Sequence, residues 1–163
     1  MVRTETAIIA AGCFWGVQYY FDQVPGVNRT TAGYIGGHTE SPTYEQVCSH
    51  TTGHAEAVKI EFDPRVVSYE TLLKQFFRMH DPTQLNRQGP DIGDQYRSAV
   101  FYLDEAQKRS AQKMIDKLNK TDFGGRIATS LEPAGKFWPA EAFHQKFTQR
   151  TGHGMCHVPY APV

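Results

Sequence analysis

Three cysteines in 163 residues, at positions 13, 48 and 156, are too few and too scattered to staple a secreted fold. The expectation is a reducing compartment and a cytoplasmic protein. Neither sign of charge is in excess: Lys plus Arg and Asp plus Glu stand at 17 each, so no net field draws the chain to nucleic acid or an anionic membrane. No run is apolar for long enough to span a bilayer, and neither an internal repeat nor a low-complexity block is visible. The uncharged stretch 6–20 behind Arg3 contains "AAGC", which faintly resembles a lipoprotein cleavage site. Its aliphatic part stops at Ala11, however, and aromatic residues at helical spacing come directly after it, which argues against an export signal. What remains is one domain spanning 1–163, long enough to bury roughly two thirds of its unfolded surface. It is expected to be a monomer.

The pattern along the chain predicts strands alternating with helices. Residues 5–11 form a short apolar run ending at Gly12, which suits a buried strand. Phe14, Val17, Phe21 and Val24 then recur at helical spacing until Pro25 and Gly26 stop them. Cys13 therefore sits where a strand hands over to a helix. Free amides and the helix dipole favour a thiolate there, against a free thiol pKa of ~8.5. The alternative is a buried, inert cysteine. A second strand is expected at 27–34, and Ser41 with Pro42 reads as the cap and first position of a short helix through Cys48.

In the strand 56–62, His54, Glu56, Val58, Ile60 and Phe62 share one face, while Ala55, Ala57, Lys59 and Glu61 share the other. Glu56 thus lies on an apolar side, where desolvation would raise its pKa and keep it protonated as a donor, unless it sits at the sheet margin and reaches water. Ser68 caps a helix with Leu72, Leu73, Phe76 and Phe77 inward, closed by Pro82. The aperiodic segment 81–95 is long for a connection and is expected to carry part of a site. Residues 96–103 resume a strand. Asp104 with Gln107 starts a helix whose inner face is Met114, Ile115 and Leu118; 126–131 is a further strand and 139–150 a helix with Phe143 and Phe147 in register. After Gly152 the Gly- and Pro-containing tail has the composition of a mobile terminus. Strands separated by helices imply a sheet covered by helices, in the α/β or α+β class.

Five motifs give the chemistry a direction: "GCFWG" (12–16), "GYIGG" (33–37), "PTYEQVCS" (42–49), "GHAEAV" (53–58) and "GPDIGDQYRS" (89–98). Together, and in this order, they closely resemble the methionine sulfoxide reductase A family, and the resemblance runs from Ile8 to about His144. It implies an α+β fold, a two-layer mixed sheet with helices packed on it and a ferredoxin-like core, with long loops and a coiled C-terminal tail. It makes Cys13 the nucleophile and Glu56 the proton donor. Tyr44 and Tyr96 match hydroxyl donors to the substrate oxygen, Asp91 an acid in the same network, and Phe14 with Trp15 the walls around the substrate methyl group. It implies the S epimer of methionine sulfoxide, free or in proteins, as substrate. No bound cofactor is implied; the external reductant is thioredoxin or a small dithiol. Oxygen transfer leaves a sulfenic acid on Cys13, which a second thiol can convert to a disulfide. The placement of Cys156 resembles the family's resolving position, although many relatives carry two C-terminal cysteines. Cys48 could instead be the partner, or a small residue filling space on a short helix.

Two other classes fit parts of the sequence. Cys48, His50 and His54 with His153, Cys156 and His157 could supply zinc ligands, though their spacing matches no familiar pairing. Cys13 activated by a distant histidine such as His54 would make a cysteine hydrolase, a reading that leaves Glu56, Asp91 and Cys156 without a task.

Overall fold

The computed structural model describes residues 4–154. Cys156, and with it all but the start of the coiled tail expected from about residue 151, lies outside the described residues. In chain order the regular elements are β1 (Glu5–Ala11), α1 (Phe14–Asp22), β2 (Val27–Ile35), α2 (Tyr44–Cys48), β3 (Ala55–Phe62), α3 (Tyr69–Met79), β4 (Arg87–Gln88), β5 (Asp91–Ile92), β6 (Ser98–Tyr102), α4 (Glu105–Thr121), β7 (Ser130–Pro133), β8 (Trp138–Pro139) and α5 (Phe147–Thr151). Among the described residues no helix is long and apolar enough to cross a membrane.

Six strands form one mixed sheet in the order β7-β6-β1-β3-β2-β8, with β6 and β7 parallel and the other pairs antiparallel. The four central strands arise from two interleaved β-α-β units, β1-α1-β2 and β3-α3-β6, each leaving room for one strand of the other. This is the ferredoxin-like arrangement. β1 reads as a continuous apolar run because it is covered on both sides. Ala7, Ile9 and Ala11 join the core shared with α1, α3 and α4, whereas Ile8 and Ala10 join a smaller cluster with Ile35, Ala57 and Phe101, against which Ala134 and Phe137 pack. On α3, Leu72, Leu73, Phe76 and Phe77 are buried as their spacing predicts, each stabilising the fold by roughly 1.5–3 kcal/mol.

Several boundaries differ from the sequence expectation. α2 starts at Tyr44 under a Thr43 cap: the Thr43 hydroxyl accepts from the Gln46 amide and the Gln46 side chain accepts from the Thr43 amide. Ser41 has φ 45° and cannot serve as a cap. The strand expected from 126 begins only at Ser130, because the amides of Arg126, Ile127 and Ala128 are drawn off to Phe123, Asn119 and Pro82. At α4, Asp104 accepts from the Gln107 amide, but the Gln107 side chain accepts from Leu103 and donates to Thr6. Tyr96 ends a 3₁₀ turn (Asp94–Tyr96) and does not begin β6, and the segment 81–95 holds the small β4–β5 hairpin.

The largest departure is 139–150. Instead of one helix it holds the end of β8, a 3₁₀ turn (Ala142–His144) and the short α5, because Lys146 at φ 58° is left-handed and breaks the helical path. Phe143 is exposed while Phe147 lies against Trp15, so the two do not share a face. The break is fixed by long-range bonds. Gln145 accepts from the Ala32 amide and donates to the Ala32 and Ala140 carbonyls, and the Lys146 ammonium lies 2.6 Å from Asp22.

Candidate active site

Gly12, at φ 93°, makes the turn from β1 into α1 that a side chain would resist, and sets Cys13 at the N-cap of α1. Cys13 is buried, with 8% of its surface exposed. The amide of Phe14, the first residue of that helix, donates to Glu56 Oε1 at 3.2 Å. That bond brings the carboxyl of β3 to the residue adjoining Cys13.

Glu56 is 1% exposed, on a strand flanked by β1 and β2 rather than at the sheet margin. Burial pushes its carboxyl up from the ordinary 4.5 to about 8; the Phe14 amide opposes the rise and Asp91 adds to it. With Oε1 accepting from Phe14, Oε2 is left to carry the proton. It is buried and has no hydrogen-bond partner among the described residues, and the same is true of Asp91 Oδ2. Two sealed carboxyl oxygens without partners are an unfinished polar site, of the kind a ligand completes.

Tyr44 and Tyr96 face the same region. Burial foremost, then the Glu56 carboxyl, holds both phenols well above their ordinary range, so both are proton-bearing donors at neutral pH. Cys13, Cys48 and Asp91 act on Tyr96, and the Cys48 side chain is hydrogen-bonded to that of Tyr44. Burial is also the main cause of the upward shift of the Cys48 thiol. The fold thus gathers Cys13, Glu56, Tyr44, Tyr96 and Asp91 from five separate segments. Arg97 helps to hold two of them: its guanidinium donates to the carbonyls of Gly53, just before β3, and Asp94, in the turn that ends at Tyr96, and pairs with Glu132 at 3.3 Å.

The aromatic wall is larger than the sequence suggested. Phe14 is buried and Trp15 half-buried, and between them stand Tyr44 and His144. The Trp15 indole donates to His144 Nδ1 at 2.8 Å and its ring stacks on Phe147 at 4.0 Å, while Tyr44 and His144 lie 4.3 Å apart. His144 is fully buried, which lowers its pKa, and Nδ1 is committed as an acceptor, so the neutral ring bears its hydrogen on Nε2. Next to it, Glu141 accepts from the Tyr34 hydroxyl and the Tyr44 amide. Glu141, His144 and Phe147 do not stand out as site residues, because "PAEAFHQKF" carries a helical period that hides them; its one signal is the polar run His144, Gln145 and Lys146 between two phenylalanines, while Tyr34 lies in the "GYIGG" motif without an assigned role.

The rival assignments of His54 find no geometric support. Its Nδ1 accepts from the Gly37 amide and Nε2 meets the Thr39 carbonyl at 2.7 Å, so neither nitrogen is available to activate Cys13 or to ligate zinc. Among the described residues no group of three His, Cys, Asp or Glu is disposed to hold a metal ion.

Known proteins resemble this chain in sequence and in fold. The family described as "Peptide methionine sulfoxide reductase" matches residues 5–163. The chain is 50% identical over 157 residues to "Peptide methionine sulfoxide reductase MsrA" of Methanothermobacter thermautotrophicus, covering 96% of this chain and 93% of the relative. The crystal structure of Mxr1 from Saccharomyces cerevisiae in reduced form superposes with a TM-score of 0.90 at 32% identity, covering 97% of this chain and 91% of that one. Mxr1 in complex with Trx2 shares the fold, with a TM-score of 0.64 at 23% identity over 89% of this chain and 85% of that one. By sequence along nearly its whole length, this chain belongs to the peptide methionine sulfoxide reductase family.

Proposed function

We propose that this enzyme acts as a monomeric, single catalytic unit on the S epimer of methionine sulfoxide, free or within proteins, with Cys13 as nucleophile and Glu56 as acid. The observation that carries the reading is the wholly buried Glu56 carboxyl, with its raised pKa, hydrogen-bonded to the residue beside Cys13. A sulfoxide sulfur is electrophilic, but its oxygen leaves badly unless protonated or strongly hydrogen-bonded as the bond breaks. The Cys13 thiolate attacks the sulfoxide sulfur, Glu56 passes its proton to the oxygen as the substrate's S–O bond breaks, and the Tyr44 and Tyr96 hydroxyls steady the charge, with Asp91 in the same network. Phe14 and Trp15 hold the methyl group so that the oxygen faces the donors, a one-handed fit.

The oxygen ends on Cys13 as a sulfenic acid and the sulfoxide leaves as a thioether. Cys156 thiol then condenses with it, releasing water and forming a disulfide that a dithiol, thioredoxin or a small molecule, returns to two thiols. The complex of yeast Mxr1 with Trx2 supports a thioredoxin as the reductant. A second reading gives Cys48 the resolving task; its support is that the charges of Cys48 and Cys13 both act on the Tyr96 phenol.

The test is one turnover with a resolved methyl sulfoxide and no reductant. The S epimer should yield one equivalent of thioether, the R epimer none, and Cys13→Ser none from either while keeping the parent's circular dichroism. Turnover by Cys13→Ser would remove the nucleophile assignment, and consumption of both epimers the one-handed site.

A further inference from the structure

The carboxylate of Glu141 bridges two elements through its two oxygens. Oε1 accepts from the hydroxyl of Tyr34 at 2.9 Å and Oε2 from the backbone amide of Tyr44 at 3.0 Å. Tyr34 lies on β2 directly opposite Glu56 on β3. We propose that Glu141 is a positioning residue for Tyr44, a clamp that fixes the start of α2 to the strand pair carrying Glu56. The inference rests on the proposed function, in which the Tyr44 hydroxyl serves the substrate oxygen.

Glu141 can act as a fixed point because its own backbone is held on both sides. The Ala140 amide donates to the Ala32 carbonyl, the Gln145 side chain closes on Ala32 and Ala140, and the Lys146 amide donates to Gln18. The element being held has little support of its own. α2 has five residues, a length at which helix formation is unfavourable in isolation, and Val47 is its only buried residue. The loop before it is exposed except at half-buried Thr39 and buried Pro42, and passes through Ser41 in the left-handed region. The Thr43–Gln46 capping box orders the helix internally without tying it to the sheet. Burial works against the charged form of Glu141, but the amides of Tyr44 and of Glu141 itself, the Tyr34 hydroxyl and His144 together bring its pKa below the ordinary value, so the clamp is an anion at neutral pH. Both donors then meet a charged acceptor, the stronger kind of hydrogen bond.

Glu141→Asp keeps the charge but is one methylene too short to bridge both donors, whereas Glu141→Gln keeps the reach, its carbonyl serving the Tyr44 amide and its amide group the Tyr34 oxygen. The clamp requires that Glu141→Asp lower kcat roughly tenfold with KM within about twofold, and that Glu141→Gln restore most of the rate. The Tyr44 amide, followed by hydrogen exchange in ¹⁵N-labelled protein, should exchange faster in Glu141→Asp and be protected in Glu141→Gln. In a Tyr44→Phe background the Glu141→Asp change should cost less than about twofold, because the hydroxyl it positions is gone. A parent-like rate in Glu141→Asp overturns the clamp, and so does an equal loss in both backgrounds, the mark of a structural role independent of Tyr44. A parent-like rate in Tyr44→Phe itself overturns the reading of that hydroxyl, and with it the clamp's purpose, even where the amide data show the tether intact.

Discussion

Glu56 on β3 accepts a hydrogen bond at 3.2 Å from the backbone amide of Phe14, the first residue of the helix capped by Cys13. This bond fixes the distance between a carboxyl and a thiol that lie 43 residues apart in the chain. It also assigns the two carboxyl oxygens, one to the helix and the other to the site.

Because the Glu56 pKa is raised to about 8, the proton it would deliver is present below that pH and lost above it. The single-turnover rate, measured without reductant, should therefore fall on the alkaline side with an apparent pKa near 8, and Glu56→Gln should be slower by ~100-fold or more across the range. A flat alkaline limb with full activity in the glutamine variant would name another donor.

The same shift carries a stability cost of known sign. Between the ordinary 4.5 and about 8 the folded protein holds a proton that the unfolded chain has lost, so stability declines as pH rises through that window and levels off above it. At roughly 1.4 kcal/mol per pKa unit the cost is bounded at about 5 kcal/mol. Glu56→Gln should lose this dependence, and its melting temperature should gain on the parent's steadily from about pH 5 to about pH 8. Parallel melting curves would mean that Glu56 titrates as an ordinary carboxyl.

The two candidate resolving cysteines differ in their expected behaviour after the first turnover. With thioredoxin and its reducing system, Cys156→Ser should deliver one equivalent of product and then stall, while Cys48→Ser should continue to cycle. The opposite pattern would transfer the resolving role to Cys48. Mass spectrometry after one turnover identifies the bridged pair directly.

Gly37 packs against the loop that leads into β3, and its amide donates to His54 Nδ1. A methyl group there would collide with the backbone of Thr52 and His54, two residues before Glu56. Gly37→Ala should cost about 1–3 kcal/mol in urea unfolding and slow oxygen transfer as well, since the strain falls on the segment that aims Glu56. Unchanged stability would show that the loop yields freely.

Much of the fold was legible because local chemistry and tertiary structure agree. β1 and β3 are marked by their apolar patterns, α3 by Ser68 and its inward leucines and phenylalanines, and the Cys13 junction by Gly12. Sequence pattern failed where long-range bonds override it. The segment 139–150 has a helical period, yet Gln145 and Lys146 are drawn to Ala32, Gln18 and Asp22 on β2 and α1, which bend the chain. For the same reason Glu141 and His144 were invisible as site residues: their partners Tyr34, Tyr44 and Trp15 are about a hundred residues or more away.

The order of residues alone determined the placing of a thiol at a helix start and of a carboxyl on an apolar strand face, because these depend on spacing along a strand or helix; the family followed from the five motifs, and the α+β fold from what that family implies. Whether that carboxyl reaches water or keeps its proton is a matter of its surroundings, and only the packed structure decided it. The sheet and helices exclude solvent from Glu56, one amide holds one oxygen, and the other is buried without a hydrogen-bond partner among the described residues.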